Sequence, residues 1–274
     1  MIAIVTDSTA YLTKQEADSL GVHMVPMTYT VSGRSYIEGY AGQNGGFVQL
    51  LESGYGVHTS QVSVASFASV FDELLRKGYD VLCLVISSRL SGTYSSALSA
   101  SKEFPPDRIR IVDSLTTAGG MQILIEHISR LIPTGISLDK LVEEVERLRA
   151  KVELGFTVKN INPLRSSGRL AIVRQSVGTI LNIRPVLKLS DGAIVSMGKA
   201  RGNNELIRKL LDLITTDTGR IIIMHSNNYN LALTLQRFAK HRFTKARIDI
   251  KELGPVITAH VGLGVLGIAW DLNL

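Results

Sequence analysis

The stretch VLCLVISSRLSGTYSSA, residues 81–97, decides how the first half of the chain is read. Its first six residues are apolar on both faces of an extended chain, which suits a buried strand covered by helices rather than one with a wet face. Its remainder gathers small and hydroxylated side chains around Ser91-Gly92-Thr93, the composition of a turn into a helix N-terminus. Working outward, IAIVT (2–6), VHMVPMTYTV (22–31) and IRIVDS (109–114) are further β-branched runs. Between the first two, TKQEADSL opens with a capping-box pattern, Thr13 with Glu16, and stops at Gly21. Strands alternating with helices predict a parallel-sheet, Rossmann-like α/β domain.

The pattern changes further on. LDKLVEEVERLRAKV (138–152) places Leu138, Leu141, Val142, Val145, Leu148 and Val152 on one stripe and reads as an amphipathic helix. PVLKLS and AIVSMGKA flank Asp191-Gly192, a two-residue hairpin signal. A helix around 203–215, the strand RIIIMHS (220–226) and a helix around 229–240 follow. The second half is therefore expected to be a mixed α/β sandwich, with domains spanning 1–158 and 159–274.

With 45% apolar and 20% charged residues, the 274-residue chain has the composition of a folded protein, not a disordered one. The net charge of +6 favours anionic partners. Its basic residues are dispersed, without a dense run or an aromatic-basic motif, so nucleic-acid binding is not expected. Nothing reads as a secretory leader, and runs such as VLCLVI are too short to span a bilayer, so a cytoplasmic protein is expected. Cys83, the single cysteine, sits inside a buried run and is read as a packing residue.

The buried runs end in hydroxyls and acids: IAIVT in Thr6-Asp7-Ser8, VHTSQ in Thr59-Ser60-Gln61, VLCLVI in Ser87-Ser88 and IRIV in Asp113-Ser114. In an open parallel sheet the carboxyl ends of the strands share one edge, where ligands bind. At Ser91 three readings stand side by side. It is a helix N-cap, a donor to a carboxylate or phosphate at that helix N-terminus, or the nucleophile of an acyl or phosphoryl hydrolase or transferase with His260 as base. The G-x-S-x-G elbow of such hydrolases is absent. No H-E-x-x-H and no G-x-x-x-x-G-K-[ST] loop occurs either. HVGLGVLGIAW (260–270) has the G-x-G-x-x-G spacing in Gly262, Gly264 and Gly267. A dinucleotide site needs a helix and, about 20 residues on, an acid, whereas the sequence ends at Leu274; these glycines are read as turn and close-approach positions. Arg169 and Arg201 each neighbour a glycine; taken alone each reads as a surface or ion-pair residue, and two near the same interdomain region would make a fork for a carboxylate or phosphate.

In this order, IAIVTDSTAYL, TSQVS (59–63), SSRLSGTYSSA (87–97), IVDS (111–114), SGRL (167–170), KARG (199–202) and HVGLG (260–264) resemble the motifs of the DegV family of bacterial lipid-binding proteins, which includes the fatty-acid-binding subunit of fatty acid kinase. The resemblance implies a two-domain α/β fold with an acyl chain in a tunnel and its carboxylate at the domain junction. The ligand-binding set it implies is Thr59, Ser60, Ser91, Gly92, Thr93, Arg169, Arg201 and His260, with Thr59 and Ser91 holding the carboxylate, His260 joining them, and the arginines forming a positive patch. It implies no catalytic residue, no metal and no cofactor beyond the bound fatty acid. The implied partners are a long-chain fatty acid, the ATP-binding subunit of a fatty acid kinase and, transiently, an anionic membrane. Val62 and Leu263 stand where the family usually has proline, so these two loops lack its stiffening.

Overall fold

The computed structural model describes residues 1–54, 56–170 and 183–272. In chain order the first half contains β1 (Ile2–Asp7), α1 (Lys14–Leu20), β2 (Val22–Val25), β3 (Thr28–Val31), β4 (Arg34–Ile37), α2 (Phe47–Glu52), β5 (Val57–Ser60), α3 (Val64–Arg76), β6 (Asp80–Val85), α4 (Thr93–Ser101), β7 (Ile109–Asp113), α5 (Ala118–Leu131) and α6 (Leu138–Arg149). The second contains β8 (Val152–Thr157), α7 (Asn162–Ser166), β9 (Ile183–Ser190), β10 (Ala193–Arg201), α8 (Gly202–Asp212), β11 (Arg220–His225), α9 (Tyr229–Arg242), β12 (Arg247–Glu252), α10 (Pro255–Val261) and β13 (Leu266–Asp271). Among these, no helix is long and apolar enough to cross a membrane.

The expected α/β architecture is present. A four-stranded parallel sheet runs β2-β1-β6-β7, and a six-stranded mixed sheet runs β10-β9-β8-β13-β11-β12. Local signals act as read. The Thr13 hydroxyl and the Glu16 carboxylate cap α1 reciprocally, and Gly21 ends it in the left-handed region. Asp191 and Gly192 both take positive φ, 46° and 77°, and join β9 to β10. That hairpin tip docks on the end of β6: the Ser87 hydroxyl donates to the Gly192 carbonyl at 2.9 Å, and a Cβ on Gly192 would lie 2.3 Å from the Ser87 oxygen.

Three expectations need correction. VHMVPMTYTV is not one strand: β2 stops at Val25, Pro26 offers no N–H, and the Met27 N–H donates to the Ser8 hydroxyl at 3.0 Å, so β3 restarts in another sheet. VHTS is not a buried parallel strand; β5 is half exposed and pairs antiparallel with β3 in a small sheet ordered β4-β3-β5. The apolar stripe of α6 does not reach Val152, because the helix ends at Arg149 and Val152 opens β8. β8 lies on the first-domain side of residue 158, yet it is hydrogen-bonded between β9 and β13 in the six-stranded sheet.

The principal core joins the two large sheets through α5, which is buried along most of its length. Gly119 makes this possible: a Cβ there would come within 3.1 Å of Ile222 and Ala269. A second core lies on the other face of the six-stranded sheet, under α8 and α9. Cys83 packs in the principal core, fully buried, and burial pushes its thiol well above the usual range, so it is a packing residue.

Candidate functional site

Residues of the six-stranded sheet, of the segment that follows β6, of β5 and of α10 line a cavity of about 370 Å³. Most of its wall is apolar, with Ile86, Leu154, Phe156, Leu189, Ile194 and Met224 among the contributors. The polar residues of the lining are Thr59, Ser60, Gln61, Ser91, Thr117, Arg169 and His260, with Gly92 beside Ser91. A small number of placed polar groups in an apolar pocket is the usual composition of a small-molecule site.

Thr59 reaches the cavity because β5 alternates, turning Val57 and Thr59 inward and His58 and Ser60 outward. Its hydroxyl lies 2.8 Å from His260 Nε2, across 201 residues of sequence. His260 sits in the last turn of α10, which Gly262 ends at φ 78°. Burial, and then the nearby Arg169 guanidinium, push the His260 pKa down to about 4, so the imidazole is neutral at physiological pH. A neutral ring offers one donor and one acceptor, and Thr59 engages one of them.

Ser91 is not the N-cap; Gly92 is, and α4 begins at Thr93. The Ser91 oxygen accepts the Thr93 N–H at 3.3 Å and lies 2.9 Å from the Thr93 hydroxyl while still lining the cavity. Gly92 and Gln61 pack closely: a Cβ on Gly92 would lie 1.9 Å from Gln61 Oε1, so a larger residue there would displace the Gln61 side chain. Gln61 is itself held by its amide, which donates to the Ser96 hydroxyl at 2.8 Å. Thr93 is fully buried behind the wall, where its hydroxyl accepts the Val62 N–H at 3.4 Å and ties the β5 loop to α4. Ser60 is exposed at the rim.

The arginine fork does not form around the cavity. Arg169 lines it, its guanidinium donating to the carbonyls of Leu90 at 3.2 Å and Ser167 at 2.5 Å. Arg201 is exposed at the end of β10, outside the cavity wall, with its backbone N–H donating to the Glu205 carboxylate at 2.7 Å. Two arginine-glycine pairs look equivalent in sequence, but the strand carries one of them away to a helix start. The nucleophile reading gains nothing either: His260 bonds Thr59 and Ser91 bonds Thr93, so Ser91 is not paired with a base.

Sequence reasoning missed Glu38, the residue that sets α10. Although it follows the exposed β4, it is fully buried and accepts the Ser8 hydroxyl at 2.6 Å, the Val256 N–H at 2.8 Å and the Tyr11 hydroxyl at 3.4 Å. The Ile257 N–H donates to the Tyr11 hydroxyl at 3.1 Å, so two orphan donors of the first turn of α10 are satisfied from distant elements. Burial pushes the Glu38 pKa up to about 7. No local pattern in YIEGY signals this, because the partners lie 30 and 218 residues away.

The DegV family model matches residues 1–273. The chain belongs to the DegV family. The DegV domain-containing protein YteA of Lactococcus lactis is 32% identical over 276 residues, covering 97% of this chain and 96% of that protein. A DegV family protein of Thermus thermophilus described as binding fatty acid is 31% identical and superposes with a TM-score of 0.90 over 99% of both chains. The fatty acid kinase B3 protein of Streptococcus pneumoniae, solved loaded with linoleic acid, shares the fold at 23% identity and a TM-score of 0.87 over 100% of both chains. At Val62, where the resemblance implied a proline, the backbone N–H that a proline would lack bonds the Thr93 hydroxyl. The glycines around Leu263 keep their turn role, Gly262 and Gly264 at φ 78° and 79°, while Gly267 lies in β13 against Met224 and Phe156 and lines the cavity.

Proposed function

We propose that this DegV protein carries a long-chain fatty acid, its tail in the cavity and its carboxylate against Thr59, Ser91 and His260, and presents that carboxylate to a separate ATP-binding kinase subunit for acyl-phosphate formation. The observation that carries the reading is a mostly apolar cavity whose polar lining combines the 2.8 Å Thr59–His260 pair and Ser91, all neutral, with a single cation, Arg169. Burying an acyl chain of about 16 carbons gains roughly 0.8 kcal/mol per methylene, on the order of 12 kcal/mol gross, from which association and ordering costs are subtracted. The tail therefore supplies affinity. The headgroup needs only enough hydrogen bonds to avoid burial without partners, and hydroxyls beside the N-terminus of α4 provide them. Ser91 lacks an activating base, which favours a carrier over a self-sufficient enzyme, and the reading needs no cofactor beyond the acid. The excess of basic residues suits transient docking on anionic phospholipid in the cytoplasm.

Native mass spectrometry of the purified protein tests the proposal. A retained fatty acid, exchangeable for added free acid, is the expected result. A protein that takes up no fatty acid, or that turns over an acyl ester without a partner, overturns it.

A further inference from the structure

Two leucines of the apolar cavity lie side by side. Leu154 on β8 precedes Gly155 and Leu189 on β9 follows its partner Lys188 on the adjacent antiparallel strand, and both leucines are buried. Leu189 also pairs with Ile194 on β10, another residue of the cavity wall. The same two leucines also line a second, smaller pocket of about 220 Å³. Its character differs. Thr116, Arg149, Ser190 and Asp191 contribute to its wall. The Arg149 guanidinium donates to the Asp113 carbonyl at 2.8 Å and pairs with Glu146, and the Lys188–Glu153 ion pair also lines this pocket.

We propose that Leu154 and Leu189 are the specificity-determining wall that ends the acyl cavity and sets the longest chain this protein accepts. The inference rests on the fatty-acid reading above and deepens it. A tail that reaches the wall has buried all the apolar surface the cavity offers. Any further carbon must displace a leucine from close packing and enter a chamber of hydroxyl and charged groups, where a methylene is poorly matched. The strands hold both backbones in register, so the two side chains alone decide where the cavity closes.

The test measures affinities for saturated fatty acids in two-carbon steps on the full-length protein and its variants. In the wild type, affinity rises about fourfold per methylene up to a limiting length and then stops rising. Leu189→Ala, which removes three side-chain carbons, moves that limit outward by about three carbons; Leu189→Phe, which adds three, moves it inward by a similar amount. Leu154→Ala shifts the limit outward in the same way and stands in if a Leu189 variant does not fold, with thermal unfolding as the check. Folded variants that bind fatty acid with the wild-type limiting length overturn the wall. A wild type that binds no acid of any length instead overturns the carrier reading, before any variant is compared.

Discussion

The two halves of this protein meet in two chemically different ways. Beside α5 they are joined by charge: Arg220 of β11 donates to both carboxylate oxygens of Glu126, at 2.8 and 2.9 Å, and pairs with Asp249 at 2.7 Å. The Arg220 side chain is 6% exposed and that of Glu126 9%. Lys251 of β12 pairs similarly with Glu16 of α1. Around the cavity, the contact between Thr59 and His260 joins two neutral groups, and the cation beside them, Arg169, is held by backbone carbonyls rather than by a carboxylate. A buried charge is tolerable where its partner is permanent, since removing either member leaves the other uncompensated. A carboxylate that must enter and leave is better met by hydroxyls and a neutral imidazole, which are not left as stranded charges when the site is empty.

The largest effect is expected where that contrast is broken on the charged side. Glu126→Ala leaves Arg220 buried with half of its compensation and is expected to cost about 3–5 kcal/mol of unfolding free energy in denaturant titrations. A cost below about 1 kcal/mol shows that Asp249 alone suffices.

Next in size is the pH response of the neutral side. Glu38 is raised from an ordinary value near 4.5 to about 7 in the fold, so its contribution is complete below about pH 4.5 and is lost as pH rises through 7. His260 is lowered from 6.5 to about 4, so its contribution is complete above about pH 6.5 and is lost as pH falls through 4. Between about pH 4.5 and 6.5 the two slopes oppose each other. Relative to wild type, Glu38→Gln is expected to make stability rise more steeply with pH across this window, and His260→Asn to make it fall, each by up to about 1.4 kcal/mol per pH unit. Asp7 and Tyr11 face Glu38, and Arg169 faces His260, so these remain unchanged in the comparison. Parallel profiles for wild type and both variants contradict the assignment.

The smallest effect concerns ligand rather than fold. Thr59→Val and Ser91→Ala each remove one neutral donor and are expected to weaken fatty-acid binding about tenfold, about 1.4 kcal/mol, with stability changed by less than about 1 kcal/mol. Equal binding by both variants places the carboxylate elsewhere.

Legibility from sequence followed the range of the interaction involved. The α1 capping box spans four residues, Thr13 to Glu16, and the Asp191-Gly192 turn two, so each could be read directly. VHTSQ brings Thr59, Ser60 and Gln61 to the cavity but belongs to the small antiparallel sheet rather than the parallel one, because half-exposed strands show their face in a pattern and their sheet only in their partners. Ser91 and Arg169 do line the cavity, as the family motifs implied, whereas Arg201, with the same arginine-glycine signature, does not. Glu38 had no signature, because a carboxylate after an exposed strand reads as solvated until another element covers it.

By itself, then, the amino-acid order determined the α/β class, most strands and helices, the turn glycines and the motifs that mark a DegV chain, since these depend on short-range sterics, capping and hydrophobic period. Tertiary structure alone decided that β8 completes the second sheet, that α10 is held by a carboxylate 218 residues earlier and that Thr59 meets His260. Those outcomes depend on which distant surfaces bury each other, and no local preference encodes the partner.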